Sequence, residues 1–271
     1  MAGALEVDAI RGFLSAPAAW TVHVVERVVS TNTVALEWAA AGAPAGTALL
    51  AESQTAGRGR GGRAWRSPDG TSLALSVILR PTIAPDRLPW IVIAAAVATV
   101  EAILDVAGVA CRVKWPNDIL IGARKVAGIL AERRAEAGGT ETPAVVIGVG
   151  VNVNNRAAAL PADVRDSAIS LLDATGRATD RNRLAAALLD RLARRVGELG
   201  DGRDELARRW TAASATLGQH LAVTTPNGLI EGTDEGLDPS GSLVVRRPDG
   251  RRVAVHSGEV LLCRTASPPL I

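Results

Sequence analysis

The sequence predicts an α+β chain in two parts, a larger helix-and-strand part over residues 1–215 and a small β-barrel over residues 216–271. Three observations predict this. Apolar runs with strand-like alternation recur between helical patterns as far as Ser214, and two of them make a hairpin turning at Gly122. After Leu217 the pattern changes to short strands punctuated by Pro226-Asn227-Gly228, Asp238-Pro239-Ser240-Gly241 and Pro248-Asp249-Gly250. At 271 residues and 48% hydrophobic, the chain can bury a large core.

Residues 4–15 read as a short amphipathic helix with Leu5, Ile10, Phe13 and Leu14 on its apolar side. Residues 21–29 alternate as a strand, which Ser30-Thr31-Asn32 stops before a helix over 33–41 that Gly42 and Pro44 end. The Ser-Thr-Asn group is either a helix cap alone or, with its hydroxyls, amide and free helix N–H groups, a cradle for a small polar ligand. Residues 47–53 form the next strand and deliver Gln54 to the following loop; residues 73–79 lead away from that loop as a buried strand, broken by Pro81 and Pro85. A long, largely buried helix follows over 87–107, its most apolar stretch, 88–100, being too short to span a bilayer before Glu101 and Asp105. Residues 112–120 and 125–132 are the hairpin arms, with Lys125 opening the second arm and Gly128 where a side chain would block close approach.

Asn117-Asp118, after Pro116, are either an ordinary turn or part of a site. Residues 144–153, Ala-Val-Val-Ile-Gly-Val-Gly-Val-Asn-Val, form a central strand whose glycines imply that something lies flat against it. A buried Asn152 is costly unless the backbone or a ligand's polar edge satisfies it. Helices are predicted over 167–174, 181–199 and 203–214, the second with Leu184, Leu188, Leu192 and Val196 in a stripe and arginines elsewhere. A last strand over 258–264 closes the barrel.

Between Gly57 and Arg66 four glycines and four arginines crowd together without an acid. Glycine lets the backbone approach a ligand closely, and the planar guanidinium suits carboxylate and phosphate, so this is an anion-binding loop expected to be poorly ordered when empty. Gly57, Gly59 and Gly62 match a dinucleotide fingerprint by spacing only, because a turn and a strand follow where a helix is required. A P-loop is excluded as well, since Arg63-Ala64 stand where Lys and Ser/Thr are needed. Long apolar runs on both sides argue against a disordered arginine-glycine nucleic-acid segment.

The net charge of +2 gives no general case for nucleic acid. Cys111 and Cys263 lie far apart, and His23, His220 and His256 form no cluster, so neither a disulfide framework nor a zinc site is expected, and a reduced, cytoplasmic setting is the default. Residues 1–19 lack the pattern of a cleavable signal. Of 30 basic residues only Lys114 and Lys125 are lysines, and both fall inside candidate motifs. Where nearly every cation is arginine, a remaining lysine marks a place for a compact ammonium.

Five stretches carry a resemblance: Ser30-Thr31-Asn32; Gln54-Thr55-Ala56-Gly57-Arg58-Gly59-Arg60-Gly61-Gly62-Arg63-Ala64-Trp65; Lys114-Trp115-Pro116-Asn117-Asp118; Lys125-Val126-Ala127-Gly128-Ile129-Leu130; and Gly148-Val149-Gly150-Val151-Asn152. In this order they resemble the biotin protein ligases, or biotin–[acetyl-CoA-carboxylase] ligases, over nearly the whole chain. The resemblance implies a class II synthetase-like biotin/lipoate ligase fold, a mixed, mainly antiparallel sheet flanked by helices, with a C-terminal SH3-like barrel. It implies biotin and ATP as substrates, Mg2+ with the ATP, no tightly bound prosthetic group, and a biotin carboxyl carrier domain of acyl-CoA carboxylases as partner. Biotinyl-5′-AMP would form first and a carrier lysine would then attack it.

By the same resemblance Ser30, Thr31, Asn32 and Gln54 hold the ureido head, and Arg58, Gly59 and Arg60 fold over the ligand with Gly128 beneath it. Arg63, Trp65 and Asn152 face the nucleotide, Trp65 offering a stacking face for adenine. Lys125 reaches the carboxylate and α-phosphate as the main catalytic residue beside Arg60. Asn117 and Asp118 help place the triphosphate and magnesium, Asp118 as metal ligand. Glu259 and Arg264 resemble the end of the C-terminal domain, where it borders the nucleotide site. Residues before the first strand leave no room for the winged DNA-binding domain of bifunctional members, which disfavours a biotin-responsive repressor; a lipoate or other acyl ligase on the same scaffold is the remaining alternative. Neither nucleic acid nor membrane is expected as a partner.

Overall fold

The computed structural model describes residues 3–81, 87–133 and 144–262; Pro85, Cys263 and Arg264 lie outside the described residues. Its strands are β1 (Thr21–Val28), β2 (Thr47–Gln54), β3 (Leu73–Leu79), β4 (Arg112–Lys114), β5 (Asp118–Ile121), β6 (Arg124–Arg133) and β7 (Val145–Val151), in the sheet order β1-β2-β3-β7-β6-β5-β4. The helices are α1 (Val7–Phe13), α2 (Thr31–Ala40), α3 (Pro89–Ala107), α4 (Ala162–Arg165), α5 (Leu171–Thr175), α6 (Arg181–Gly197) and α7 (Arg203–Ala213). Strands β1 and β2 are parallel, with α2 as the crossover that a parallel pair requires, and the other neighbours are antiparallel.

Strand periodicity divides the sheet into two faces. Leu73, Leu75, Val77 and Leu79 of β3, with Val145, Ile147, Val149 and Val151 of β7, point into the main core beside α3 and α6. The alternate residues Ile78 and Val146 meet Ala35 and Ala39 of α2 on the other face. Strand β3 is therefore buried on both sides, which is why it reads as an apolar run interrupted only by Ser76.

Helix α3 is the central prop of the core, packing on α6, α7 and the sheet, and Gly108 in the left-handed region ends it. At 19 residues with a mean hydropathy of 2.0 it is long and apolar enough to cross a bilayer, which corrects the expectation that Glu101 cuts the stretch short. Its apolar surface is used by the core. The Leu184, Leu188 and Leu192 stripe of α6 is buried as expected, but Arg181 and Arg195 are buried too. Each is paired: Arg181 with Glu52 at 2.6 Å, and Arg195 with Glu198 at 2.8 Å and Glu101 at 3.3 Å. A buried guanidinium is tolerated only with such partners, and Glu101, the apparent interruption of α3, is one of them.

Strands β8 (His220–Thr225), β9 (Gly228–Leu237), β10 (Leu243–Arg246), β11 (Arg252–Val255) and β12 (Glu259–Leu262) form a second, antiparallel sheet in the order β11-β10-β9-β8-β12. The three Pro-containing turns fall between strands as predicted. Trp90 of α3 donates from Nε1 to the Pro239 carbonyl at 3.0 Å, and Arg60 donates to the Gly258 carbonyl at 2.7 Å, so this sheet touches both the core helix and the arginine-glycine loop.

Three local expectations need correction. Helix α1 is shorter than predicted and Phe13, at its end, is 51% exposed while Leu14 turns inward. Helix α2 begins at Thr31, and Ser30 precedes it without a side-chain capping bond. The helix expected from Ser167 begins only at Leu171, because residues 167–169 pair with β6 instead: Lys125 N–H donates to Ser167 O at 2.7 Å and Ile169 N–H to Lys125 O at 2.9 Å.

Candidate active site

The face of the sheet opposite the main core is nearly bare of side chains at its centre. Ala74, Gly150, Gly128 and Asp118 stand in one row across β3, β7, β6 and β5, and Ser76, Gly148 and Leu130 form the next. A cleft of about 470 Å³ lies over this floor, within the range of small-ligand sites. Its glycines are there for space, since Gly128, Gly148 and Gly150 have no positive φ. A Cβ at Gly148 would collide with the Asn32 amide, one at Gly150 would lie 2.5 Å from Trp65 Cε2, and one at Gly128 3.0 Å from Lys125 Nζ. The flat objects that the glycines implied are thus an amide and an indole.

The Gly148 row is the polar end. Gln54 Oε1, at the end of β2, accepts from the Thr31 backbone N–H at 2.8 Å and the Thr31 hydroxyl at 3.1 Å. The Ser76 hydroxyl lies 2.8 Å from Thr31 Oγ1 and 2.6 Å from Asn32 Oδ1. Asn32 Nδ2 donates to Glu132 at 2.9 Å and to the Leu130 carbonyl at 3.3 Å. These donors and acceptors hold one another in place.

The Gly150 row carries the charge. Lys125 and Gly128 are three residues apart and would face opposite sides of a regular strand. The register of β5 on β6 slips between Ile119 and Leu120, leaving Val126 as the extra residue of a bulge, and this turns Lys125 onto the floor beside Gly128. There its Nζ pairs with Asp118 at 2.5 Å and stands 5.7 Å from the centre of the Trp65 ring. Two buried polar atoms nearby have no partner, Asn152 Oδ1 and Trp65 Nε1. The Asn152 backbone is paired, its N–H bonded to Val126 O and its carbonyl accepting from Leu171 N–H, whereas among the described residues no backbone donor reaches its side-chain Oδ1.

The arginine-glycine loop forms the roof. Gly59 N–H donates to Arg63 O at 2.6 Å and Trp65 N–H to Gly57 O at 2.9 Å, giving the loop a closed turn, with Gly61 at φ +66° and Gly62 at φ +75°. Arg58 reaches Glu132, and Arg63 pairs with Glu259 at 2.7 Å. Burial, with the charge of Arg63, pushes the Arg60 guanidinium below its ordinary range, while Asp118 and Glu259 act the other way. The Glu259 carboxyl is held below the usual range, chiefly by the Arg63 hydrogen bond.

The model of the biotin/lipoate A/B protein ligase family matches residues 24–152, and that of the biotin protein ligase C-terminal domain matches residues 216–262. The chain is 37% identical over 249 residues to the biotin–[acetyl-CoA-carboxylase] ligase of Mycobacterium tuberculosis, across 90% of this chain and 89% of that one. The chain belongs to the biotin protein ligase family. It is also 35% identical to the bifunctional ligase/repressor BirA of Bacillus spizizenii, across 87% of this chain and 72% of that protein. A biotin protein ligase from Aquifex aeolicus, solved in complex with biotin and ATP, matches it with a TM-score of 0.77 at 28% identity, across 90% of this chain and 99% of the other. The mixed sheet and the small C-terminal sheet are therefore the biotin/lipoate ligase fold with its SH3-like appendage.

Every described residue assigned from the sequence to catalysis, biotin or ATP lines this ligase's cleft. Some are less free than expected. Asn32 has both ends of its amide engaged, Asn117 donates its amide to the Ile129 carbonyl at 2.9 Å, and Asp118 is paired with Lys125. Among the described residues no group of His, Cys, Asp or Glu stands ready as a metal cage. Two further residues of the site were not expected: Ser76, the one polar residue in an apolar strand, and Glu132, which shares the Gly128 face by period two. Nor was the wall formed by Asp163, Val164 and Ser167, whose position depends on the pairing of residues 167–169 with β6.

Proposed function

We propose that this ligase activates biotin with ATP and transfers the biotinyl group to a lysine of a biotin carboxyl carrier domain. In the first step a biotin carboxylate oxygen attacks the α-phosphorus and pyrophosphate leaves; in the second the carrier amine attacks the carbonyl of the mixed anhydride and AMP leaves. The observation that carries this reading is the division of one glycine floor into a polar row and a charged row. Thr31, Gln54 and Ser30 offer the hydroxyl and amide groups that a ureido head needs. Lys125 stands where a point charge can follow charge developing at phosphorus, and Arg58 and Arg60 approach from the roof. Trp65 and Asn152, each with an unused buried polar atom, form the nucleotide end.

Magnesium is compatible with this arrangement. The ion commonly takes one or two carboxylates along with triphosphate oxygens, and Asp118 supplies one beside Lys125. When bound with ATP it would neutralise triphosphate charge. Catalysis would rest on positioning and electrostatics, without a protein nucleophile.

The direct test is transfer. With biotin and ATP, a carrier domain should gain one biotinyl group by mass spectrometry, and its Lys→Arg variant should gain none. ATP-dependent labelling of that variant at the same rate would overturn the assignment of the carrier lysine.

A further inference from the structure

We propose that Glu132 is a positioning residue that sets Arg58 for the acid substrate. The proposal rests on the reading of Arg58 as a ligand for carboxylate or phosphate. Glu132 lies two residues beyond Leu130 on β6, on the floor face, but stands behind the cleft rather than in its lining. One of its oxygens, Oε2, receives both Arg58 Nη2 at 2.5 Å and Asn32 Nδ2 at 2.9 Å.

The carboxylate is thus fixed from the polar end of the site. Asn32 is itself held by Leu130 O and Ser76 Oγ, and its amide occupies the space that Gly148 leaves by lacking a Cβ. The result is an unbroken chain, Ser76–Asn32–Glu132–Arg58, from the floor to the roof.

Arg58 has no other hydrogen-bond partner among the described residues. A guanidinium offers five N–H donors in a rigid fork. Glu132 engages one nitrogen, which fixes the plane of the fork and leaves the remaining donors for a ligand. Without that anchor, an arginine 41% exposed on a glycine-rich loop has many rotamers of similar energy, and the acid substrate must order it on binding. Among the described residues, Trp65 and Asn152 at the nucleotide end make no hydrogen bond to Ser76, Asn32, Glu132 or Arg58.

The test is a double-mutant cycle on the full chain, read by ATP–pyrophosphate exchange. Glu132→Gln should raise KM for biotin about tenfold, a size expected for a coupled charged pair, with kcat and KM for ATP within about twofold. In an Arg58→Ala background, Glu132→Gln should have no further effect. Glu132→Asp, which keeps the charge but withdraws it by one methylene, should fall between wild type and Glu132→Gln, and serves if the amide variant folds poorly. The proposal is overturned if Glu132→Gln raises both KM values alike, keeps its full effect without Arg58, or lowers Tm while leaving KM for biotin unchanged. Wild-type exchange with and without biotin tests the underlying reading separately; if another acid supports exchange, the same cycle is run with that acid.

Discussion

Gly150→Ala isolates the steric role of the floor. The backbone at Gly150 has no positive φ, so alanine meets no conformational penalty there. The added methyl, however, would lie 2.5 Å from Trp65 Cε2 and 2.8 Å from both Cζ2 and Nε1. Ordinary carbon contacts begin near 3.5 Å, so the indole must retreat from the strand by about 1 Å. A misplacement of that size in a positioned site costs on the order of 100-fold. Because Trp65 stands at the proposed nucleotide end, the loss should fall on kcat/KM for ATP, while the biotin dissociation constant measured without nucleotide changes by less than about threefold. ATP–pyrophosphate exchange gives the first quantity and calorimetry the second. In a Trp65→Ala background the Gly150→Ala penalty should vanish. An unchanged kcat/KM for ATP in the single variant, or an equal loss in biotin binding, would refute the steric role.

Three other substitutions probe the charged row and the roof. Lys125→Ala should lower kcat for adenylation by about 100-fold or more while biotin affinity stays within about threefold; equal losses in both would make Lys125 a binding residue only. Arg60→Gly removes the bond to Gly258 O and should speed dissociation of the acyl-adenylate about tenfold in a filter-retention assay, and unchanged release would count against a lid role for the loop. The Glu259 carboxyl lies below its ordinary value of 4.5, first because Arg63 donates to it, so its contribution is complete above that value and is lost only as pH falls through the lowered one. The ratio of KM for ATP between Glu259→Gln and wild type should therefore stay constant from about pH 6 to 9, and a ratio that titrates within that window would contradict the pairing.

Much of this site was legible because its chemistry depends on residues that sequence displays directly. Gly148 and Gly150 announced a close approach, and Asn32 and Trp65 are what approach. Asn152, too polar for its strand, has a side-chain oxygen left without a partner. The two lysines stood out as the only lysines among 30 basic residues, and both line the cleft. What escaped was information held in register. Lys125 reaches the floor only because of the bulge at Val126, and no single-residue signal marks a bulge. Glu132 and Ser76 matter through partners 74 and 44 positions away, Arg58 and Asn32. Arg181 looked like a surface cation because its carboxylate comes from Glu52 on β2, and the burial of Arg195 depends on Glu101 of α3 as well as on its neighbour Glu198.

The fold explains why such a site needs little apparatus. A sheet face stripped to glycine and alanine lets a ligand lie on backbone, α2 and β3 supply its polar end, and one bulge supplies the ammonium. The roof is a loop in which two of the arginines, Arg58 and Arg63, are already paired with Glu132 and Glu259, carboxylates on the first sheet and the second. A ligand anion entering beneath it meets guanidinium groups held in place rather than a free coil.

ATP–pyrophosphate exchange measured with biotin, lipoate and octanoate in parallel tests the central claim most directly. Exchange should depend on biotin and be weak or absent with the other two acids. Exchange that proceeds without biotin, or that lipoate or octanoate supports better, would contradict that claim.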